Sequence, residues 1–305
     1  MNAKGPRLGA QPVTLGVDLG GTGTRIAVLG ADGEVVRGKS FPTLTGDPAA
    51  AVAGLVTALT DIADGHHVSA VGIGASGPVT AGGIIENPAT LPAYAGVDLP
   101  GAIEQVTGWP CVIDNDAAAA AVGEYAYGAG RGSCSCLTVT LGTGVGVAVI
   151  VGGKLVRAAD GSHPEAGHIA VPDAPGPCYC GLPSCWEQAA SRTALEEIAG
   201  ETAADARLGM AAVAAAARDG DSGAVRTFEL YGQHVAAGLG TLLTIFRPDR
   251  VVLGGSAARH YGLFAASLDS ALSRSEHYRW NPPIVAAELG DIAGAIGAAV
   301  LARVR

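Results

Sequence analysis

One imidazole and three thiol groups are closely spaced in the segment that runs from Glu165 to Glu187. Together they complete the four-coordinate shell of a structural Zn2+, with no position left open for a reaction. Gly181 and Pro183 favour a turn that returns the last cysteine to the others. The alternative is three buried thiols beside a surface histidine. We predict a structural zinc site, with the ligands His168, Cys178, Cys180 and Cys185.

Two glycine and threonine runs, DLGGTGT from Asp18 and LGTG from Leu141, each follow an apolar segment. Glycines let backbone N–H groups approach phosphate oxygens, and an aspartate at a strand end can hold Mg2+ directly or through water. Each run is also compatible with an ordinary hairpin turn. We predict two phosphate loops, with nucleotide contacts at Asp18, Gly20, Gly21, Thr22, Thr24, Gly142, Thr143 and Gly144.

Asp114, Asn115 and Asp116 stand between a predicted strand and an alanine-rich predicted helix. One of the two carboxylates is suited to take a proton from a substrate hydroxyl, while the amide bonds neighbouring hydroxyls. These residue types also cap helix N-termini, which is the structural alternative.

Other nucleotide motifs fit the sequence poorly. There is no GxxxxGK[ST] run, and the GxGxxG match at Gly72, Gly74 and Gly77 is followed by Pro78 where a helix should begin. We expect a tight loop facing a ligand at that point. The remaining thiols are predicted to be core side chains, namely Cys111, Cys134 and Cys136.

Strands alternate with helices along the chain, which indicates α/β layers. The segments LGVDLGGTGTRIAVL and VTLGTGVGVAVIV share a strand, a Gly/Thr turn and a second strand. We therefore predict a duplicated architecture with one phosphate loop in each half. A helix is predicted to begin at Pro48 after an Asp47 cap, and helical segments are predicted to dominate from Glu187 to about Phe246.

Composition excludes several classes of protein. The 305 residues include 46 glycines and are 49% hydrophobic and 15% charged, unlike a disordered chain. A net charge of −9 without a basic run argues against nucleic acid as a partner. The uncharged stretch 132–153 is rich in glycine and β-branched residues, so we predict two strands there and no membrane partner. The N-terminus has no signal-peptide core, so we expect a flexible tail over 1–12, a cytoplasmic location and reduced cysteines.

Together these motifs resemble the ROK family of sugar kinases and sugar-responsive repressors, over nearly the whole chain from Val13. DLGGTGT and LGTGVG resemble its two phosphate motifs, and VIDNDAAAAAVGE the segment with the catalytic aspartate. PEAGH and CYCGLPSCWE resemble its sugar and zinc segments, RPDRVVLGGS its adenosine motif, and GDIAGAIGAA its terminal helix.

The resemblance implies the two-domain, actin-like ATPase fold of hexokinases (ribonuclease H-like), with the active site between the domains. We expect a small α/β domain over 13–115 plus 291–305 and a large α/β domain with the zinc loop over 116–290. Family members are often dimers or tetramers, which implies a homo-oligomer.

Carried onto this sequence, the resemblance makes Asp116 the base and Asn115 a sugar contact. Zinc would hold the loop that carries two sugar-binding glutamates. The remaining implied contacts are Glu165, His168, Glu187, Gly77 and Asn87 for the sugar, and Gly254 and Gly255 for adenine and ribose. The loop ASGPVT departs from the family's commoner Pro-Gly version.

The implied reaction is transfer of the ATP γ-phosphoryl group to the 6-hydroxyl of glucose, a glucokinase step of carbohydrate metabolism that feeds glycolysis. The helix N-terminus is expected to keep Asp116 ionised and less basic. The alternatives are a fructokinase, which the CYCG pattern disfavours, and an N-acetylmannosamine or N-acetylglucosamine kinase of the same family. Polyphosphate is an alternative donor. A sugar-sensing repressor is disfavoured because few residues precede Asp18, too few for a helix-turn-helix.

Overall fold

The computed structural model describes residues 11–273 and 280–304. Of the predicted tail 1–12, all but Gln11 and Pro12 lie outside the described residues. The chain divides into two compact units. The first unit holds the described residues up to Gly132, Ile150–Pro164 and those from Glu288 onward, and the second holds Ser133–Val149 and Glu165–Ala287.

Within the described residues, ten strands form two five-stranded sheets, ordered β3-β2-β1-β4-β5 and β10-β9-β6-β7-β8. The strands are β1 (Val13–Leu19), β2 (Gly23–Leu29), β3 (Val35–Pro42), β4 (Val68–Ala75), β5 (Cys111–Asn115), β6 (Ser135–Leu141), β7 (Val145–Val151), β8 (Lys154–Leu155), β9 (Arg250–Gly254) and β10 (Ile284–Ala286).

The two sheets repeat one topology. In the first, β1 pairs antiparallel with β2 and parallel with β4, and β4 pairs parallel with β5. In the second, β6 lies beside β7 and pairs parallel with β9, which pairs parallel with β10. Read from β1 and from β6, the strand order is therefore the same, and the predicted duplication is confirmed. The uncharged stretch 132–153 forms β6 and β7, as predicted.

Nine α-helices complete the described residues: α1 (Pro48–Ala63), α2 (Leu99–Thr107), α3 (Asp116–Tyr127), α4 (Trp186–Ala190), α5 (Arg192–Thr202), α6 (Met210–Arg218), α7 (Ser222–Phe246), α8 (Tyr261–Leu272) and α9 (Ala293–Arg303). The Asp47 carboxylate accepts the Ala50 N–H at 2.9 Å, so the predicted N-cap of α1 is confirmed. Within the described ranges, no helix has both the length and the apolarity needed to cross a membrane.

The alternation of β1 separates two packing faces. Leu15 and Val17 are fully buried in a cluster with Leu55 and Leu59 of α1. The opposite face carries Gly16, where an added Cβ would lie 1.8 Å from the carbonyl oxygen of Ala295 in α9. Helix α9 therefore lies directly on the backbone of the sheet, which requires a residue without a side chain.

Helix α3 belongs to the first unit, whereas the sequence placed the domain boundary at 115/116. The reason is its close packing on α9. A Cβ at Gly123 would lie 2.5 Å from the Ala293 carbonyl oxygen, and one at Gly297 would lie 1.7 Å from that of Ala119. Two glycines on facing helices thus bring α3 against the terminal helix.

The second unit is built around α7, in the region predicted to be helical. Trp186 and Tyr231 are fully buried there. The Trp186 indole N–H donates to the His234 carbonyl at 2.9 Å, and the Tyr231 hydroxyl donates to the Ala190 carbonyl at 2.7 Å. The polar end of each ring is therefore satisfied inside the core.

One of the three predicted core thiols is not buried. Cys111 and Cys136 are buried, but Cys134 is exposed. It precedes β6 and is held by its backbone, whose N–H donates to the Asp249 carboxylate at 2.7 Å. The prediction that Cys134 is a core side chain was wrong, because Cys134 lies just before the first residue of β6, Ser135.

Candidate functional site

Asn115 and Asp116 occupy the junction between β5 and α3, and the two residues have different tasks. The Asn115 side-chain oxygen caps α3 by accepting the N–H groups of Ala117 and Ala118 at 2.8 and 3.1 Å. Its amide nitrogen donates to the Gly77 carbonyl at 3.1 Å. Asn115 is thus a helix cap, as the structural alternative predicted, and it also joins the start of α3 to the loop after β4. Capping is therefore compatible with a role of Asn115 in a binding site.

The structure distinguishes the two carboxylates of this segment. Both Asp114 oxygens accept hydrogen bonds from the guanidinium of Arg157, one of them at 2.8 Å. The Asp116 carboxylate instead accepts the hydroxyl of Ser76 at 2.7 Å and is partly buried. Asp114 is therefore neutralised by an arginine, and Asp116 is the carboxylate suited to accept a proton.

Ser76, Gly77 and Asn87 form a compact turn beside Asp116. The Asn87 amide donates to the Ser76 carbonyl at 3.1 Å. Gly77 has φ +91°, and a Cβ there would lie 2.4 Å from the Asn87 amide nitrogen. The turn therefore requires glycine both for its backbone conformation and for the space that Asn87 fills. The predicted sugar-side residues of the first unit, Gly77, Asn87, Asn115 and Asp116, are thus brought together.

The first glycine and threonine run forms the turn from β1 to β2. Gly20 N–H donates to the Gly23 carbonyl at 3.1 Å, and Thr22 is exposed at the tip. Thr24 is buried, and its hydroxyl bonds that of Thr43 at 3.0 Å. The Thr43 hydroxyl in turn donates to the Gly20 carbonyl at 2.5 Å. Thr24 therefore stabilises the loop from its buried side through Thr43. Gly20, Gly21 and Thr22 form the more accessible part of the turn.

Asp18 lies at the end of β1 in a negative environment. Burial, followed by the nearby negative charge of Asp116, raises the pKa of Asp18 to about 6. Arg25, whose guanidinium lies 3.3 Å from the Asp18 carboxylate, opposes the shift, and Asp291 adds to it. A partly buried carboxylate in a field of other carboxylates is a favourable place for a cation.

Burial also raises the pKa of Asp116, while the hydrogen bonds from Ser76 and the Ala117 N–H oppose the rise. The sequence-based expectation of a less basic Asp116 was therefore wrong. The helix N-terminus does stabilise the carboxylate, but loss of solvent around it has the larger effect.

In the second unit, the turn between β6 and β7 is tied to the helices that follow the cysteine segment. The Glu187 carboxylate accepts the Val145 N–H at 3.0 Å, and a Cβ at Gly144 would lie 2.2 Å from it. The Arg192 N–H donates to the Gly142 carbonyl at 2.7 Å. The predicted second phosphate loop is therefore held at both ends.

The predicted nucleoside residues lie next to the same turn. Gly254 ends β9 and pairs with Thr140 of β6. Gly255 has φ +83°, and a Cβ there would lie 2.5 Å from the Leu141 carbonyl oxygen. Gly142, Thr143, Gly144, Gly254 and Gly255 are thus gathered at one end of the second sheet.

The predicted metal ligands converge within the second unit. One ligand atom from each of His168, Cys178, Cys180 and Cys185 lies within 4.8 Å of the others. The His168 Nδ1 lies 3.6 Å from the Cys178 sulfur, and the sulfurs of Cys180 and Cys185 lie 3.4 Å apart. Bond lengths of about 2.0 to 2.3 Å in a tetrahedral shell require separations of this size. The donor set and its geometry therefore fit Zn2+.

The two glutamates that flank the ligands differ in their surroundings. Glu165 is exposed at the start of a 3-10 turn that ends at His168. Within that turn, a Cβ at Gly167 would lie 1.9 Å from the Val145 carbonyl oxygen. Val145 thus meets Glu187 through its N–H and the Glu165 turn through its carbonyl. The segment predicted to bind sugar is packed on the end of the predicted second phosphate loop.

Sequence reasoning missed three side chains that act on the aspartates of this region: Ser76 on Asp116, Arg157 on Asp114, and Asp291 on Asp18. Ser76 gave no signal beyond its place in ASGPVT, and Arg157 none beyond its charge in an apolar region. Asp291 stood in the terminal-helix motif without a role. Each acts on a residue remote in the chain, so the sequence around it does not reveal its partner.

Comparison with known proteins places these features in a family. A model described as the ROK family matches residues 14–305. A glucokinase of Streptomyces coelicolor is 35% identical over 316 residues, which cover 95% of this chain and 98% of that protein. An N-acetylmannosamine kinase of Escherichia coli is 32% identical over 294 residues, with 95% and 98% covered.

A solved structure agrees with the fold. The ROK family glucokinase from Streptomyces griseus, in complex with glucose and AMPPNP, is 34% identical, with a TM-score of 0.81 over 96% of this chain and all of that one. The duplicated sheets are accordingly those of the actin-like, hexokinase-type ATPase fold, as predicted. Because the family model spans almost the whole sequence and the relatives match over nearly their full lengths, this chain belongs to the ROK family.

Proposed function

We propose that this chain is an ATP-dependent glucokinase, which transfers the γ-phosphoryl group of ATP to the 6-hydroxyl of glucose. The observation that carries the proposal is the Asp116 carboxylate, set at the start of α3 with Ser76 and Asn115 beside it. The relatives support the choice of substrates, because the Streptomyces coelicolor protein is a glucokinase and the Streptomyces griseus glucokinase binds glucose and AMPPNP.

In the proposed reaction, Asp116 accepts the proton of the sugar hydroxyl as the oxygen forms its bond to phosphorus and ADP leaves. The raised pKa of Asp116 makes it a better proton acceptor than an exposed aspartate. A loose phosphoryl transition state depends more on positioning than on a strong base. The hydrogen bonds that fix Asn115 and Asp116 supply that positioning.

The first unit has a suitable position for Mg2+ at Asp18. Three carboxylates, those of Asp18, Asp116 and Asp291, interact there against one guanidinium, that of Arg25. Mg2+ bound with the nucleotide would neutralise charge on the phosphate oxygens. We propose that each glycine turn also offers backbone N–H groups to phosphate oxygens.

The proposed zinc has a structural role. Its ligands His168, Cys178, Cys180 and Cys185 close the shell, so no position is open for a substrate. The same segment carries Glu165 and Glu187, for which we propose contacts to sugar hydroxyls together with His168. Holding the segment in one conformation would orient both carboxylates before the sugar arrives.

A sugar panel with Mg-ATP tests the proposal. ADP formation is measured with glucose, fructose, mannose, N-acetylmannosamine and N-acetylglucosamine, and polyphosphate replaces ATP in a parallel series. We expect the highest kcat/KM with glucose and ATP. Asp116→Asn should lower kcat by about 10²–10⁴-fold, as expected for a lost general base. Asp61→Asn, at an exposed position of α1, is the matched control. Normal turnover by a folded Asp116→Asn protein would contradict the mechanism.

An N-acetylmannosamine kinase is the second candidate, because the Escherichia coli enzyme is 32% identical over nearly the whole chain. Discrimination at the sugar C2 position can depend on a single hydrogen bond. A higher kcat/KM with N-acetylmannosamine than with glucose would favour this function.

We also propose a homo-oligomer, a dimer or a tetramer, which sedimentation of the purified protein would measure.

A further inference from the structure

We propose that Ser76 is a positioning residue for Asp116. The Ser76 hydroxyl holds the Asp116 carboxylate in the orientation needed to receive the sugar proton. This inference rests on the proposed function. The bond that carries it joins the Ser76 Oγ to the Asp116 Oδ2 at 2.7 Å, between residues 40 positions apart.

Both oxygens of the Asp116 carboxylate are held by donors on different elements. Oδ2 accepts the Ser76 hydroxyl, from the turn after β4, and Oδ1 accepts the Ala117 N–H at 2.8 Å, from the first turn of α3. With one bond on each oxygen, rotation of the carboxylate is opposed. Each oxygen keeps a lone pair for a substrate hydroxyl.

Ser76 is itself fixed through its backbone. Its N–H donates to the Leu19 carbonyl at 3.1 Å, and its carbonyl accepts the Asn87 amide at 3.1 Å. Leu19 is the last residue of β1 and begins the first phosphate loop. Ser76 therefore joins the phosphate loop, the predicted sugar contact Asn87 and the proposed base through three bonds.

The donated hydrogen bond also has an electrostatic effect. It stabilises the charged form of Asp116 and so opposes the rise in its pKa that burial produces. Without the hydroxyl, burial acts with less opposition. Loss of the Ser76 hydroxyl should therefore raise the pKa of Asp116. A substitution that only lowers stability should leave that pKa unchanged.

The test compares Ser76→Ala with Ser76→Thr and with Thr80→Val. Ser76→Ala should lower kcat about 10- to 100-fold, the range expected when a reacting group is displaced by about 1 Å. Its sugar KM should change little. The fall of kcat on the acid side of the pH profile (the acid limb) should move to higher pH. Ser76→Thr keeps the hydroxyl and should restore most of kcat. Thr80, whose hydroxyl accepts the Ile84 N–H at 3.0 Å in the same loop, is the matched control and should keep the wild-type profile.

Three outcomes would overturn the inference. A Ser76→Ala protein with wild-type kcat and acid limb would show that the bond has no role in the reaction. A higher sugar KM at unchanged kcat would make Ser76 a substrate contact. A lower kcat with an unmoved acid limb and no rescue by threonine would leave only a structural role.

A sugar-free measurement separates this inference from the proposed function. Carboxyl NMR of the protein without substrate follows the Asp116 titration, with Asp116→Asn to assign the signal. Ser76→Ala should raise that pKa even if no sugar is phosphorylated. An inactive wild type would refute the kinase proposal, whereas an unchanged Asp116 titration would refute the positioning role of Ser76.

Discussion

Asp18 and Asp116 carry carboxylates that protonate more readily than exposed aspartates do. Burial is the main cause for both, and the charge of Asp116 adds to the effect at Asp18. The cost of keeping both ionised is typical of sites arranged to meet a cation or a proton. It has consequences for both activity and stability.

The rate should depend on pH on the acid side. Asp18 has a pKa of about 6, and the pKa of Asp116 is also raised, so both carboxylates lose charge at a higher pH than exposed aspartates. We expect kcat/KM to fall as the pH drops through about 6, because the free enzyme then loses its base and its cation site. Initial rates between pH 5 and 8 at saturating Mg2+ measure this. A flat profile down to pH 5 would count against the roles of both residues.

Asp18→Asn should remove activity yet stabilise the protein without ligands. The folded pKa of about 6 exceeds the ordinary 3.8, so the folded state binds the proton more tightly and the free energy of unfolding falls as the pH rises between the two values. The loss above pH 6 is at most about 3 kcal/mol, and removal of the Arg25 ion pair reduces the gain in the variant. Urea unfolding at pH 7.5 and at pH 4 measures the difference, with Asp61→Asn as control. A variant less stable than wild type at pH 7.5 would contradict this account.

At the scale of elements, glycine lets helices lie directly on a sheet or on each other. Gly16 and Gly72 stand on the neighbouring strands β1 and β4 and face the backbone of α9. Gly74 meets α3, where a Cβ would lie 2.7 Å from the Ala119 methyl group. The GxGxxG match at Gly72 thus reflects helix packing, and no helix follows β4 until α2.

Gly72→Ala should be strongly destabilising. Its Cβ would lie 1.8 Å from the Ala298 carbonyl oxygen, so α9 would have to move. We expect a loss of about 3 kcal/mol or more, at the upper end for an overpacked core. Gly200→Ala in α5, where no heavy atom lies within 4 Å of the added Cβ, should instead stabilise by about 0.5–1 kcal/mol. Chemical denaturation of both variants provides the comparison, and equal effects would contradict the packing argument.

The cysteine segment is the second element with a testable composition. Metal analysis should find about one zinc per chain in the wild type. Cys180→Ser should lose the metal and most activity, because one of the ligands that hold the segment is removed. Cys134→Ser is the matched control, since Cys134 is exposed and outside the cluster. A fully active wild type without metal would leave only a thiol cluster.

At the scale of the whole molecule, Glu124 joins parts of the chain that are far apart in sequence. Its buried carboxylate accepts the N–H groups of Ala129, Glu288 and Leu289, the last two from more than 160 positions away. These bonds fix the end of α3 against the segment that leads into α9. The chain passes between the two units at 132/133, 149/150, 164/165 and 287/288, and the bonded segments adjoin the first and the last of these passages.

Glu124→Gln should therefore destabilise the protein. The amide group cannot accept all three N–H groups, and each buried donor left unpaired costs about 1–3 kcal/mol. Glu104→Gln is the control, because Glu104 is exposed and accepts one N–H group, that of Cys111, at 2.8 Å. Its effect should stay within about 0.5 kcal/mol. Thermal unfolding of the two variants decides the point, and similar melting temperatures would be inconsistent with it.

The sequence by itself determined the features that depend on neighbouring residues. Strand and helix alternation predicted the α/β layers, and the two Gly/Thr hairpins predicted the duplication that both sheets show. The His168 and cysteine spacing predicted a cluster whose ligand atoms do converge. Asp47 as a helix cap followed from the same local chemistry. Short-range patterns carry such information because the interacting groups lie within a few residues of each other.

Only the tertiary structure decided which partner each group meets across the chain. It assigned Arg157 to Asp114 and Ser76 to Asp116, and so separated two aspartates that the sequence left equivalent. In the structure, α3 belongs to the first unit because glycines bring it against α9, and Cys134 is exposed. The tertiary structure also reversed the expected shift at Asp116, because burial is the sum of packing from many elements. Contacts between remote residues depend on how the sheets and helices pack, and no local pattern records that packing.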